Sequence, residues 1–182
     1  MEIKMNMEKK LTDKDVRIIY LPPMTIASIH LIGNEPEERT AIYVNEFIKE
    51  TCLNKIKPDF KHFGFNNPDT VSDSDPKHGY ERWISVPDNM PINKPFDKKI
   101  FSGGTFAAHM IPWGLWDEGW MPLYKWVETN KKYEQDYGGL EFDGTAGWLE
   151  EHLNYIYWYD KYVRGDAMLQ LDLLLPIKIR NG

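Results

Sequence analysis

The chain has 182 residues, which is the size of one domain and enough to bury a core without disulfide bonds. Its net charge is −6, from 22 Lys and Arg against 28 Asp and Glu, which argues against the basic surface that nucleic-acid binding needs. Aromatic residues make up 14% of the sequence, more than a core of this size needs, so we expect some of them to line a cavity.

The cysteine content and the chain start bear on the cellular compartment. Cys52 is the single cysteine, so no intramolecular disulfide and no CxxC motif can form. No apolar run approaches the length of about 20 residues that a membrane span needs, and residues 1–10 lack the apolar region of a signal peptide. We therefore expect a cytoplasmic, non-membrane protein with a flexible tail at residues 1–13 and one domain at residues 14–180.

The first half of the chain predicts two strands, a helix and two more strands. Alternating β-branched and aromatic residues bounded by prolines and turns indicate strands at 16–21, 24–32, 61–66 and 80–86. Residues 37–53 fit a helix because apolar residues recur on one face. This apolar stripe consists of Ala41, Val44, Ile48 and Cys52. We therefore expect Cys52 to be a small buried core residue.

The second half repeats this order of elements without a visible repeat in the residues. Strands are predicted at 98–101, 105–111, 148–155 and 168–175, and a helix at 120–131. Pro122 fits the first turn of that helix, and Leu123 and Val127 lie on its apolar face. We expect Leu173 and Leu175 to share one buried face of the last strand.

These elements predict an α+β fold, a tandem β-α-β-β pseudo-repeat with halves at about 14–95 and 96–180. The two halves would pair into one curved antiparallel sheet with both main helices on one face. The other face would be concave and would need to be filled. We expect a central ligand groove at the pseudo-twofold join, because ligand sites favour such positions.

Several catalytic and metal-binding motifs are absent from the sequence. It contains no GxSxG, HExxH, P-loop or GxGxxG motif. His109 and His152 both lie on predicted strands, but the sequence singles out no third ligand for a zinc ion. We therefore predict no metal and no cofactor.

An unusually aromatic stretch at 147–159 contains two adjacent carboxylates. Alternation along a strand sends Glu150 and His152 to one face, and Glu151 and Tyr155 to the other face with the apolar residues. If the apolar set meets the helices, Glu150 lies on the concave face. A carboxylate among aromatic rings binds a cation, titrates as an acid or base, or forms a structural ion pair. The residues alone leave these alternatives open.

Five stretches occur in an order and spacing that resemble the GyrI-like small-molecule-binding domain. They are His62-Phe63-Gly64-Phe65-Asn66 and residues 80–87, 101–107, 122–127 and 171–178. This domain is the effector-binding half of AraC- and MerR-type multidrug-responsive transcription regulators in bacteria. The resemblance extends from about residue 15 to residue 178. It implies a groove that takes planar, often cationic, aromatic molecules.

The resemblance also implies a set of site residues. In the family a glutamate on the penultimate strand faces the groove. Glu150 matches this position, and Glu151 is the alternative in the neighbouring register. Neighbouring strands would supply Trp83 and Glu81, with Phe65 or His62 as further wall residues. His152 and Tyr155 complete the predicted ligand-binding set.

We therefore expect a stand-alone effector-binding protein that binds small cationic or aromatic molecules, in transcription regulation or in drug sensing and sequestration. Residues 1–15 cannot hold a helix-turn-helix, so we expect no direct DNA binding by this chain and a separate DNA-binding or target protein as partner. One alternative is a hydrolase of reactive electrophiles, in which Glu150 with His152 or Tyr155 activates water. Another is a protein-binding inhibitor of a topoisomerase.

Overall fold

A computed structural model describes residues 10–68, 78–112, 114–137, 147–160 and 170–181. Residues 69–77, Trp113 and Met168, the first residue of the last predicted strand, lie outside the described residues. The elements are β1 (Arg17–Leu21), β2 (Met24–Gly33), α1 (Pro36–Thr51), α2 (Leu53–Ile56), β3 (His62–Asn66), β4 (His78–Ser85), β5 (Asp97–Phe101), β6 (Gly104–Pro112), α3 (Trp116–Thr129), β7 (Tyr133–Gln135), β8 (Leu149–His152) and β9 (Gln170–Ile179).

The boundaries of both main helices differ from the prediction. Helix α1 ends at Thr51, and Cys52 adopts the left-handed conformation (φ 53°), where its N–H caps the carbonyls of Ile48 and Lys49. Cys52 is consequently exposed, and the prediction that it lies in the core is wrong. Helix α3 begins at Trp116, so Pro122 lies inside the helix and not in its first turn.

Strand β8 is shorter than predicted. It ends at His152, because Asn154 turns the chain in the left-handed conformation (φ 56°) and a 3₁₀ turn follows at Tyr155–Tyr157. Tyr155 therefore does not continue the alternation of the strand. The short strand β7, which pairs with the extended end of β9, has no counterpart among the predicted strands.

The strands form one sheet in the order β1-β6-β9-β8-β3-β4-β2-β5, with β7 added to β9, and the neighbouring strands are antiparallel. Exchanging the equivalent strands of the two halves reverses this order onto itself. The predicted tandem pseudo-repeat is thereby confirmed. Its pseudo-twofold axis passes through the β3–β8 pair, which we call the central join.

The sheet curls around an aromatic cluster on its helix-free face. Two strands separate β3 from β5, a distance of about 14 Å in a flat sheet. The rings of Phe63 on β3 and Phe101 on β5 are nevertheless only 6.3 Å apart. The helix-free face is therefore concave, as predicted, and aromatic side chains fill it. The aromatic cluster contains Leu21, Ile26, Phe63, Phe65, Trp83, Phe101, Phe106, Ala108, Leu149 and Leu174.

The two helices cover the other face of the sheet. Val44 and Ile48 of α1 pack in one buried cluster, and Leu123 and Val127 of α3 pack in another against β9. Gly119 allows α3 to approach closely, because a Cβ there would lie 2.5 Å from Leu173 Cδ1. The predicted helix core is confirmed, and none of the described helices is long and apolar enough to cross a membrane.

The predicted tail at residues 1–13 lies largely outside the described residues. Of its described part, Leu11 is buried in the cluster beneath α3, and the carboxylate of Asp13 accepts a hydrogen bond from the Trp126 indole. The assignment of a tail and of two halves stays a prediction.

Candidate ligand-binding site at Glu150

Glu150 lies on the central join, on the face of the sheet that carries the helices. It is opposite Gly64 of β3 and opposite Leu173 of β9, which packs beneath α3. Its neighbour Leu149 belongs to the aromatic cluster of the concave face. Glu150 therefore lies at the join where we predict the groove, but the prediction that it lies on the concave face is wrong. Both faces of this sheet are buried, so apolar residues do not identify the helix side.

Gly64 makes room for a tyrosine that crosses the central join. The Tyr80 side chain extends over Gly64, and its hydroxyl donates a 3.0 Å hydrogen bond to Oε2 of Glu150. A Cβ at position 64 would lie 2.1 Å from that hydroxyl oxygen, so only glycine is compatible with this contact. Burial and the nearby Glu150 raise the pKa of Tyr80 well above its usual value. Tyr80 therefore stays protonated and acts as the donor.

Burial controls the charge of Glu150. The residue keeps an intermediate exposure, but loss of water around its carboxyl group raises its pKa to about 7. The hydrogen bonds from Tyr80 and from the Trp120 indole, and the positive charge of Arg82, oppose this effect without cancelling it. Near neutral pH the group therefore exists in both protonation states.

A buried arginine stands next to this carboxyl group. The Arg82 guanidinium donates to the backbone carbonyl of Glu37 at 3.1 Å, to the Thr40 hydroxyl at 3.1 Å, and to the rings of His62 and His152 at 3.3 and 3.4 Å. Among the described residues it forms no ion pair with a carboxylate. Its charge and burial lower the pKa of both histidines well below the usual value, with burial the larger cause. Both rings are therefore neutral at physiological pH.

Two predicted site residues join this group from the end of β8. His152 stacks on His62 with ring centroids 4.4 Å apart. Tyr155, in the 3₁₀ turn, contacts the His62 ring at 3.9 Å and donates from its hydroxyl to the Asn45 side chain of α1 at 2.7 Å. Glu150, His152 and Tyr155 thus lie on the same side of the sheet.

The other three predicted site residues lie on the concave face. Trp83 and Phe65 pack edge to face inside the aromatic cluster, with centroids 4.8 Å apart. Glu81 accepts hydrogen bonds from the side chains of Ser28, Asn67, Trp83 and Lys99. Burial alone would raise the pKa of Glu81, but these donors outweigh burial and lower it. The structure therefore separates this set from Glu150 by the thickness of the sheet.

Glu150 differs from the other buried carboxylates of the sheet in its partners. The other three each pair with a lysine or arginine. The pairs are Glu81 with Lys99, Glu151 with Lys61 and Asp172 with Arg17. Glu150 has two uncharged donors, and among the described residues no lysine or arginine forms an ion pair with it. Its negative charge consequently lacks a bound counterion from the described part of the chain.

Sequence reasoning missed several contributors to this site. Tyr80, Arg82, Gly64 and Trp120 surround Glu150. The sequence patterns include the first three only within longer stretches and do not single out Trp120 as a site residue. A glycine between two aromatic residues in a strand is the signal that could have revealed the crossing side chain. Among the described residues no cluster of three or more metal-ligating side chains occurs. A cavity of about 400 Å³ next to Leu11 and Trp126 contains none of the predicted site residues.

Solved structures share this fold at low sequence identity. The C-terminal domain of EcmrR matches with a TM-score of 0.59 and 13% identity, over 90% of this chain and 96% of that domain. An uncharacterized conserved protein from Listeria innocua matches with a TM-score of 0.59 and 13% identity, over 91% and 93% of the two chains. A hydrolase from Listeria innocua has a TM-score of 0.55 and 14% identity, over 91% and 92%. These likenesses establish the fold.

Comparison by sequence places the chain in a family. No curated protein matches it. A family model described as "integron-associated effector binding protein" matches residues 17–177, which include every element from β1 to the buried part of β9. The chain therefore belongs to the Cass2 family of integron-associated effector binding proteins.

Proposed function

We propose that this effector-binding protein takes small aromatic cations, with Glu150 as the residue that recognises their charge. The observation that carries the proposal is the missing counterion. Three buried carboxylates have a lysine or arginine partner, whereas Glu150 has only hydrogen bonds from uncharged groups. A cation bound at Glu150 would supply a direct ion-pair contact, whereas Arg82 acts on the carboxylate through its charge without such a contact.

The surroundings of Glu150 favour an aromatic ligand. Tyr80 and Trp120 contact the carboxyl group, and Trp148 stacks on Trp120 at 5.1 Å. Aromatic faces attract organic cations and add apolar contact area. An ammonium or quinolinium ion between such rings would form a charge-assisted contact with the carboxylate, which is stronger than a hydrogen bond between neutral groups.

We further infer that binding serves transcription regulation or drug sensing, through a separate DNA-binding or target protein. EcmrR has been solved in a complex with DNA, and this chain covers 57% of the EcmrR chain there. The net charge of −6 argues against a basic surface for DNA on this chain itself.

Calorimetric titration with a matched pair of ligands tests the role of Glu150. The pair is N-methylquinolinium and neutral methylquinoline, measured above neutral pH so that the carboxylate is ionised. Glu150→Gln keeps the shape of the side chain and should weaken cation binding by about 10- to 150-fold, with little effect on the neutral ligand. Glu151→Gln is the matched control, since Glu151 faces the concave side and pairs with Lys61.

Each contrary outcome has a defined meaning. An equal loss for both ligands would show that Glu150 orients the site without selecting charge. A loss confined to Glu151→Gln would move the site to the concave face. In either case the proposed recognition of charge by Glu150 is wrong.

Hydrolysis is a second candidate function, favoured by the pKa of Glu150 at about 7. A carboxylate with this pKa can remove a proton from water at neutral pH while the water attacks an electrophilic carbon. Incubation with an activated aryl ester distinguishes the two functions. Product released by the wild type and not by Glu150→Gln would show hydrolysis, whereas binding without product would support the effector-binding role.

A further inference from the structure

The ring of Trp148 belongs to the aromatic surroundings of Glu150, but its N–H group takes no part in the role proposed so far. It directly precedes β8 and lies two residues before Glu150, so both side chains are on the helix-bearing face of the sheet. Trp148 packs against the buried cluster under α3. The cluster consists of aliphatic and aromatic side chains, in which the hydroxyls of Tyr124 and Tyr133 are the side-chain groups that can accept from an indole N–H.

Trp120 lies between the Trp148 ring and the carboxyl group of Glu150 in a chain of contacts. Trp148 stacks on Trp120 with ring centroids 5.1 Å apart and an angle of 24° between the planes. The centroid of the Tyr124 ring lies 6.0 Å from that of Trp148. Trp120 in turn hydrogen-bonds the carboxyl group of Glu150. Trp148 is therefore part of the same aromatic wall as the residues that hold Glu150.

The indole N–H of Trp148 is a hydrogen-bond donor without an acceptor among the described residues. Nε1 is buried and has no hydrogen-bond partner among the described residues. An indole N–H is a donor only, so it needs an acceptor. The carboxyl group of Glu150, on the same face, already receives bonds from Tyr80 and Trp120. Leaving a buried donor unpaired is costly, and proteins rarely do so without a functional reason.

We propose that the ligand of this site supplies the missing acceptor, and that it is an aromatic cation bearing a carbonyl or ether oxygen that accepts a hydrogen bond from Trp148 Nε1–H. This inference rests on the proposed function, because it places the cationic part of the ligand at Glu150. Residues 148 and 150 are separated by about 6–7 Å along the chain. The acceptor oxygen and the cationic centre should be separated by a similar distance, which one fused ring system provides.

The proposal narrows the ligand class. A lipophilic cation without an acceptor would fill the site and leave the Trp148 N–H unpaired. A cation with a suitably placed oxygen would pair it, and the site would select the second compound over the first. Selectivity of this kind comes from a buried polar group that is satisfied by one ligand and left unpaired by another.

Two probes that differ by one ketone test this selectivity. They are N-methylquinolinium and acetyl-N-methylquinolinium with the acetyl group on the carbocyclic ring. Calorimetric titration of the wild type should show the ketone binding about 3- to 10-fold more tightly, the range expected for one hydrogen bond between neutral groups. Trp148→Phe keeps an aromatic ring and removes the N–H. This variant should lose the advantage of the ketone, so that the ketone and the parent cation bind to it with equal affinity.

A second readout holds even if Trp148→Phe folds poorly. In ¹⁵N-labelled wild-type protein, the indole N–H resonance of Trp148 should move downfield with the ketone and not with the parent compound. Equal affinity of the two probes for the wild type, or a ketone advantage that survives in Trp148→Phe, overturns the inference and leaves the proposed function intact. Failure of Glu150→Gln to weaken the parent cation overturns the proposed function instead.

Discussion

Glu81 and Glu150 lie on opposite faces of one sheet, and their surroundings shift their pKa values in opposite directions. Glu81 receives four donors, one of them the Lys99 ammonium, and its pKa is lowered although burial alone would raise it. Glu150 receives two uncharged donors, and burial raises its pKa to about 7. A carboxylate that is fully paired supports the fold, whereas one that lacks a counterion is available to a ligand.

The same contrast separates the two faces as a whole. The aromatic cluster fills the concave face. On this face the carboxylates of Glu81, Glu151 and Asp172 each form an ion pair with a lysine or arginine. On the helix-bearing face, Glu150 and the Arg82 guanidinium have hydrogen bonds but no ion pair among the described residues, and the Trp148 N–H has no hydrogen-bond partner there. Charges without an ion pair therefore lie at the central join.

The largest expected effect concerns the pH dependence of stability. The pKa of Glu150 is near 4.5 when unfolded and about 7 when folded, so the folded state holds the proton more tightly. The free energy of unfolding should therefore fall as pH rises from about 4.5 to about 7. The pKa difference of about 2.5 corresponds to a loss of about 3 kcal/mol.

The measurement is urea denaturation of the wild type and Glu150→Gln across this pH range. The difference between the two curves isolates Glu150, because His62 and His152, whose pKa values are lowered, destabilise both proteins as pH falls. A constant difference would contradict the prediction. Glu81→Gln should show no such slope here, because the lowered pKa of Glu81 confines its effect to more acidic pH.

A smaller effect is expected when the two carboxylates are compared at one pH just above neutral. Glu81→Gln should lower the free energy of unfolding by about 2–3 kcal/mol, because Lys99 loses its partner and four donors meet a weaker acceptor. Glu150→Gln should leave stability equal or higher, since it removes an unpaired buried charge. Chemical denaturation measures both changes in the free energy of unfolding. Destabilisation by Glu150→Gln would contradict the inference that Glu150, unlike Glu81, does not stabilise the fold.

The smallest effect is expected at the crossing of the central join. Gly64→Ala should cost about 1–3 kcal/mol, because its Cβ would displace the Tyr80 hydroxyl from Glu150. Gly104→Ala is the matched strand control, since a Cβ at position 104 would lie an ordinary 3.5 Å from the Phe106 ring. Thermal denaturation of both variants and of Tyr80→Phe gives the measurement. Additive losses from Gly64→Ala and Tyr80→Phe would show that the two residues do not act together.

The periodicity of the sequence was sufficient for most of the fold. The apolar stripe predicted α1 and its core residues Val44 and Ile48, and proline and glycine positions separated the strands. The predicted boundaries of an element were wrong where a left-handed backbone conformation, which the hydrophobic pattern does not reveal, ends the element. Cys52 and Asn154 both adopt the left-handed conformation, so α1 ends before Cys52 and β8 ends before Tyr155.

The family resemblance pointed to Glu150, and alternation kept Glu150 and His152 together. Neither identified the side of the sheet. Trp83, Glu81 and Phe65 were expected beside Glu150. Which residues of adjacent strands share a face depends on the strand register, and the sequence does not give that register. The observed pairing of Glu150 with Gly64 and of Gly64 with Arg82 aligns Glu150 with Tyr80 and Arg82, and sends Glu81 and Trp83 to the concave face.

The sequence by itself determined the order of the elements, the tandem repeat and the side chains within one strand that share a face, because these follow from local periodicity and turn residues. The tertiary structure decided which face the helices cover, which carboxylates find a cation and which donor is left unpaired. These properties depend on strand register and on the curl of the sheet, which bring together residues as far apart in the chain as Tyr80 and Glu150. The charge state of Glu150 depends on the burial that this assembly creates.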